Sequence, residues 1–180
     1  MKTLNVINLY GGPGSGKSTT AAGLFYELKK QHFNVELVTE FAKDLVYADQ
    51  LAGLLDQQEY IFGEQNFRLH RLRGKVDWAI TDSPIMLATT YAQPDYPCIE
   101  EFRNLVLATD KTYTNINIFL KRPDTFSQDG RAHTLEEAKS VDDDLLDMLN
   151  QHNIPYDVFT TDDNVVESII NKYFRDKPGP

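Results

Sequence analysis

The sequence predicts an α/β fold in which one parallel sheet lies between layers of helices, and three observations carry that prediction. Short apolar runs alternate with longer segments of helical pattern along the chain, as strand–helix–strand units require. The first run, Leu4 to Tyr10, passes straight into Gly11-Gly12-Pro13-Gly14-Ser15-Gly16-Lys17-Ser18, and a good helical segment leaves it. A later run, Trp78-Ala79-Ile80-Thr81, ends in Asp82. In an open α/β sheet the ligand crevice lies outside the carboxyl ends of the strands, so loop and aspartate are expected to face one crevice.

Taken in order, the strand Leu4–Tyr10 feeds the glycine loop and the helix Lys17–Gln31 leaves it. Asn34–Thr39 is the second strand, followed by helices Phe41–Ala48 and Gln57–Arg73. Val76–Thr81 is the third strand; helix Ile85–Tyr91, a surface loop at Pro94–Pro97 and helix Ile99–Ala108 come next. Asn115–Lys121, helix Thr134–Asn150, strand Tyr156–Thr160 and helix Asn164–Phe174 complete the alternation, leaving Asp176 to Pro180 as a loose tail. The expected architecture is a three-layer αβα P-loop fold over residues 1–180, with a five-stranded parallel sheet in the order 2-3-1-4-5 and a small lid at about 122–140. One strand separates the loop strand from the Asp82 strand. That spacing suits small P-loop kinases, in which the acidic strand is third in sequence and packs beside the first. Larger motor-type ATPases usually place a glutamate directly after the aspartate, whereas Asp82 is followed by Ser83-Pro84.

Composition bounds the function. With 180 residues and 41% hydrophobic content, one folded domain with a proper core is expected. A net charge of −9 argues against a broad basic surface for coating nucleic acid. The single cysteine, Cys98, permits no internal disulfide and fits a reducing compartment. No signal peptide or membrane-length apolar run is seen, so a soluble, cytoplasmic protein without a membrane partner is expected. His70, His133 and His152 have no metal-ligand spacing, and no zinc site is inferred.

The loop carries the chemistry. Its pattern, Gly-x4-Gly-Lys-Ser, lets backbone N–H groups surround a phosphate at a helix N-terminus. Gly12, Pro13, Gly14, Ser15, Gly16, Lys17, Ser18 and Thr19 are therefore assigned to ATP binding. Lys17 reaches the β- and γ-phosphates, and the Ser18 hydroxyl ligates Mg2+. Asp82 is the second metal-side residue, acting through water or Ser18. Glu40, at the end of the second strand, is placed to take or orient an acceptor's hydroxyl proton; stabilising the dipole of the helix from Phe41 is the plainer role. The residues leave open which of Glu40 and Asp82 is the base. After the fourth strand, Lys121 to Arg131 reads as a lid, with Arg131 closing on the transferring phosphoryl and Arg122 second for that role and an ATP contact. Glu64, Arg68 and Arg71 share one helical face and read as a salt-bridged outer surface rather than an anion site. Phe41, Tyr47, Tyr60 and Phe62 are expected in the core more than stacked on an aromatic acceptor.

The P-loop, Thr39-Glu40-Phe41-Ala42-Lys43-Asp44, Gly63-Glu64-Gln65, Thr81-Asp82-Ser83-Pro84 and Gln128-Asp129-Gly130-Arg131 occur in that order. This succession resembles the AAA_28-type P-loop proteins, which include the nicotinamide-riboside kinase domain of bacterial NAD-regulating proteins; many small phage-encoded nucleotide-kinase-like proteins look similar. The resemblance covers about residues 3 to 174. It implies a nucleoside or nucleotide kinase fold rather than an AAA+ motor, and phosphorylation of a small nucleoside-like or nucleotide acceptor with ATP and Mg2+. The extra DNA-binding or adenylyl-transfer domains of the riboside-kinase members are not expected here; a homodimer is compatible. Two alternatives stand beside it. One is a kinase acting on polymeric, modified nucleic acid, for which a cluster of Lys111, Lys121, Arg122 and Arg131 is the sequence hint. The other is a regulatory NTP-binding switch.

Overall fold

Five stretches become the strands β1 (Asn5–Tyr10), β2 (Val35–Val38), β3 (Trp78–Thr81), β4 (Thr114–Lys121) and β5 (Asp157–Thr160) of one sheet. The computed structural model describes residues 3–48, 53–54, 56–122 and 134–175. All neighbouring pairs are parallel and the order is β2-β3-β1-β4-β5, as the sequence predicts. Parallel neighbours need long crossovers. These contain α1 (Lys17–Lys30), α2 (Phe41–Tyr47), α3 (Gln58–His70), α4 (Leu87–Tyr91), α5 (Ile99–Asp110) and α6 (Leu135–Gln151), with α7 (Val165–Tyr173) after the last strand.

Boundaries move by a few residues, for visible reasons. Ile85 and Met86 form a turn before α4, with Ala88 N–H reaching back only to Ile85 O. Helix α3 stops at His70 because the chain turns through Gly74, whose φ of +71° favours glycine. Helix α6 starts where expected, closed by a capping box in which Thr134 Oγ1 accepts from Glu137 N and the Glu137 carboxylate accepts from Thr134 N.

Strand alternation divides the core in two. Ile7, Leu9, Ile80, Ile118 and Leu120 pack with Ala21, Leu24 and Leu28 of α1 and Val165 and Ile169 of α7. Val6, Tyr10, Ala79 and Phe119 face the other way, against Phe62 and Leu69 of α3, Phe102 and Val106 of α5, and Leu145, Met148 and Leu149 of α6. That second face also hides amides. Asn8 Nδ2 donates to Oδ1 of Asn115 and of Asn117, both at 3.0 Å, and Asn117 Nδ2 donates to Pro155 O at 3.0 Å. Partnered in this way, buried polar groups avoid most of their desolvation cost. Among the described residues no helix is long and apolar enough to cross a membrane.

Candidate active site

The P-loop leaves β1 at Tyr10 and enters α1 through Gly16, the N-cap, whose φ of +86° suits a residue without a Cβ. The first turn of α1 carries no acid, so its positive end is open to an anion. Ser18 and Thr19 are exposed there, whereas Ser15 is buried and its hydroxyl has no hydrogen-bond partner among the described residues. Lys17 Nζ donates to Gly11 O at 2.5 Å and Gly12 O at 3.1 Å. Burial lowers the ammonium's pKa, and Glu40, Asp82 and Asp142 work against that shift. This set of donors fits a polyphosphate.

On the β3 side of the loop, Asp82 joins two segments far apart in sequence. Its Oδ2 accepts the Ser18 hydroxyl at 2.6 Å, and its Oδ1 accepts Glu40 N–H at 3.1 Å. A hydroxyl and a carboxylate in direct contact are oxygen donors of the kind Mg2+ takes, so the pair fits the metal assigned to it. Glu40 is the N-cap of α2, yet its carboxylate makes no capping hydrogen bond. Gln65 serves there instead: its Oε1 accepts Phe41 N–H at 2.9 Å, while its Nε2 reaches Thr39 O and Thr81 Oγ1. Glu40 thus makes no capping bond of its own and lines a cavity of about 610 Å3 next to Pro13. Burial raises its pKa first of all, Asp82 and Asp44 add to the rise, and Lys17 and Lys43 oppose it. A carboxyl so poised is suited to exchanging a proton.

On the β4 side stand Arg122 and a residue that sequence reasoning missed. Arg122 is only 8% exposed, and its Nη2 donates to Asp142 Oδ2 at 2.6 Å and Ala138 O at 3.3 Å. Asp142 Oδ1 accepts Gly12 N–H at 2.6 Å. Burial raises the Asp142 pKa, against the pull of the Gly12 N–H, Arg122 and Lys17. Nothing in the acidic run Asp142-Asp143-Asp144 singles out its first member except helical phase, since Ala138, one turn earlier, is buried too. Arg131 and residues 123–133 of the expected lid lie outside the described residues; 134–140 open α6.

Other expectations sort themselves by location. Arg68 pairs with Asp44, donates to Thr39 O and covers the Phe41 ring at 5.1 Å, so the outer-surface reading of that face holds for it. The hinted basic cluster is not one cluster: Lys111 caps α5 at the start of β4, Lys121 ends that strand, and Arg122 is buried. Phe41 and Phe62 are core, as expected, but Tyr47 is 76% exposed and lines the cavity with Tyr91, which is 46% exposed.

Comparison with solved structures shows the same fold. Thymidylate kinase from Ehrlichia chaffeensis superposes with a TM-score of 0.66 at 19% identity, covering 96% of this chain and 98% of its own. Deoxyadenosine kinase from M. mycoides with bound dATP gives 0.62 at 21% identity, covering 93% and 98%. The NadR protein in complex with NAD and AMP-PNP gives 0.61 at 13% identity over 93% of this chain, which spans 49% of that one. No curated protein sequence matches at significance. The AAA_28 family, described as an AAA domain, matches residues 6–163, and with this sheet order, P-loop and kinase-like architecture the chain belongs to that family.

Proposed function

We propose that the protein is an ATP- and Mg2+-dependent kinase that transfers the γ-phosphoryl group to a hydroxyl of a nucleoside-like small molecule. The observation that carries this reading is the side-by-side placement of two sites. Pro13 of the P-loop and the Glu40 carboxylate, which makes no capping bond, line one cavity. In this reading Lys17 and the α1 N-terminus hold the phosphates, and Ser18 with Asp82 holds the metal side. Ser18 and Asp82 would hold Mg2+, which when bound would supply positive charge to offset that of the phosphates. Glu40 takes the acceptor's hydroxyl proton as the new O–P bond forms and the bond to the departing ADP oxygen breaks. Arg131, in the segment the sequence marks as a lid, is proposed to act on the charge of the moving phosphoryl.

The cavity's chemistry favours an acceptor without a phosphate of its own. Among the described residues, Glu40 and Asp56 line it against one cation, Lys43, which also lies 5.7 Å over the Tyr47 ring. Like charges in a confined site repel an added anion. Exposed Tyr47 and Tyr91 offer aromatic surface for a base. A screen of nucleosides, nucleoside monophosphates and short DNA for uptake of labelled γ-phosphate tests this. Label on a nucleoside is expected. Label on DNA alone, or release of phosphate regardless of acceptor, would overturn it in favour of the polymer kinase or the switch.

A further inference from the structure

Helix α6 is fastened to the P-loop at one side chain. The two oxygens of Asp142 are divided between Gly12 N–H and Arg122 Nη2, each at 2.6 Å. The fit is close: a Cβ on Gly12 would stand 2.6 Å from Ala138 O, 2.9 Å from Asp142 Oδ1 and 3.1 Å from Arg122 Nη2. Arg122 is more than nine-tenths buried, and its Nε and Nη1 have no hydrogen-bond partner among the described residues. Charged donors left open in a buried place are costly, and a ligand that accepts from them removes the cost.

We propose that Asp142 is a positioning residue of the nucleotide site: it ties the P-loop at Gly12 to the Arg122 guanidinium, and so fixes the loop that receives the nucleotide's phosphates. This rests on the nucleotide-binding reading above. The sign of the effect separates positioning from simple electrostatics. Asp142 is negative and close to where a polyphosphate binds. Removing its charge would strengthen binding if charge alone mattered. If Asp142 positions Arg122 and Gly12, removing it weakens binding. Asparagine is the discriminating change, because it has one acceptor oxygen where aspartate has two and cannot receive both N–H groups.

MgATP is titrated into the wild type, Asp142→Asn, Arg122→Gln and the double variant, with the melting temperature of each recorded. Asp142→Asn and Arg122→Gln are each expected to weaken MgATP binding about tenfold or more, the worth of a charge-assisted hydrogen bond. The double variant should lose little beyond the larger single loss, since both changes remove one device. MgATP binding by folded Asp142→Asn that equals or exceeds wild type overturns the proposal. Should that variant not fold, Arg122→Lys decides: it keeps a cation beside Asp142 but lacks the fork, so it is expected to bind about tenfold weaker. Wild-type affinity in Arg122→Lys overturns the proposal. A wild-type protein that fails to bind MgATP sinks the nucleotide reading and this proposal together; wild-type binding with unaffected variants sinks this proposal alone.

Discussion

Asp82 and Asp142 touch the same loop from opposite sides, one beyond β3 and one behind β4, and their partners differ in kind. Asp82 accepts from neutral donors, the Ser18 hydroxyl and the Glu40 N–H, and among the described residues no cation stands within ion-pair distance of it. Asp142 is neutralised inside the protein by Arg122. A carboxylate whose charge is left over at a crevice is suited to a metal; one already paired is suited to fastening. In the proposed function the crevice has a reactive side, holding Ser18, Glu40 and Asp82, and a braced side, holding Gly12, Arg122 and Asp142.

The largest expected effect lies on the reactive side. Glu40→Gln should lower kcat about 10²- to 10⁴-fold, the range for a positioned general base, with the KM for ATP little changed. Since burial raises the Glu40 pKa, wild-type kcat should fall with acid already above the ordinary glutamate range, and the variant should lose that limb. Lys17→Ala should reduce transfer on the order of 10²-fold or more while the melting temperature holds, because among the described residues its ammonium bonds only to the two loop carbonyls. Asp82→Asn sharpens the contrast directly. It should weaken nucleotide binding about 10- to 100-fold with Mg2+ present and far less without, whereas Asp142→Asn should weaken both alike. Equal losses for Asp82→Asn with and without the metal would erase the distinction between the two sides.

Smaller effects probe the brace and the scaffold. Gly12→Ala has no φ problem but no space, and overpacking against Ala138 O should cost about 1–3 kcal/mol in thermal unfolding. Asp110 is a control for burial away from the crevice, since it ends α5 beside Asn115 at the amino end of β4, and the crevice lies at the carboxyl ends of the strands. Burial raises its pKa to about 6, and Lys111 opposes the shift. A raised carboxyl binds its proton more tightly when folded, so stability falls as pH climbs from about 4 to 6. Asp110→Asn should therefore stabilise the fold above pH 6 by about 1–3 kcal/mol at most, read as a higher melting temperature, and not near pH 4.

The reactive side was legible in the sequence because its residues are tied to strand ends. The run into Gly11-Gly12 and the run into Asp82 mark two carboxyl ends, and the crevice rule places Glu40 with them. Sheet order followed from the spacing of the acidic strand. The braced side was not legible. Asp142 lies in a run of three aspartates on a helix, and only the packing of α6 on the loop selects it. Gln65 stands in the sequence only as a member of Gly63-Glu64-Gln65, with no role of its own; that role depends on Thr39 and Thr81 meeting across strands β2 and β3. Of the hinted cluster of Lys111, Lys121, Arg122 and Arg131, Lys111 stands apart because β4 runs between it and Lys121, and Arg131 lies outside the described residues.

The most direct test of the central claim is ADP formation measured with Mg2+ and ATP, with and without the nucleoside that takes up label. The account predicts slow ADP formation alone, a strong rise on adding the acceptor, and loss of that rise in Glu40→Gln. An ADP rate indifferent to every acceptor, in wild type and variant alike, would contradict it.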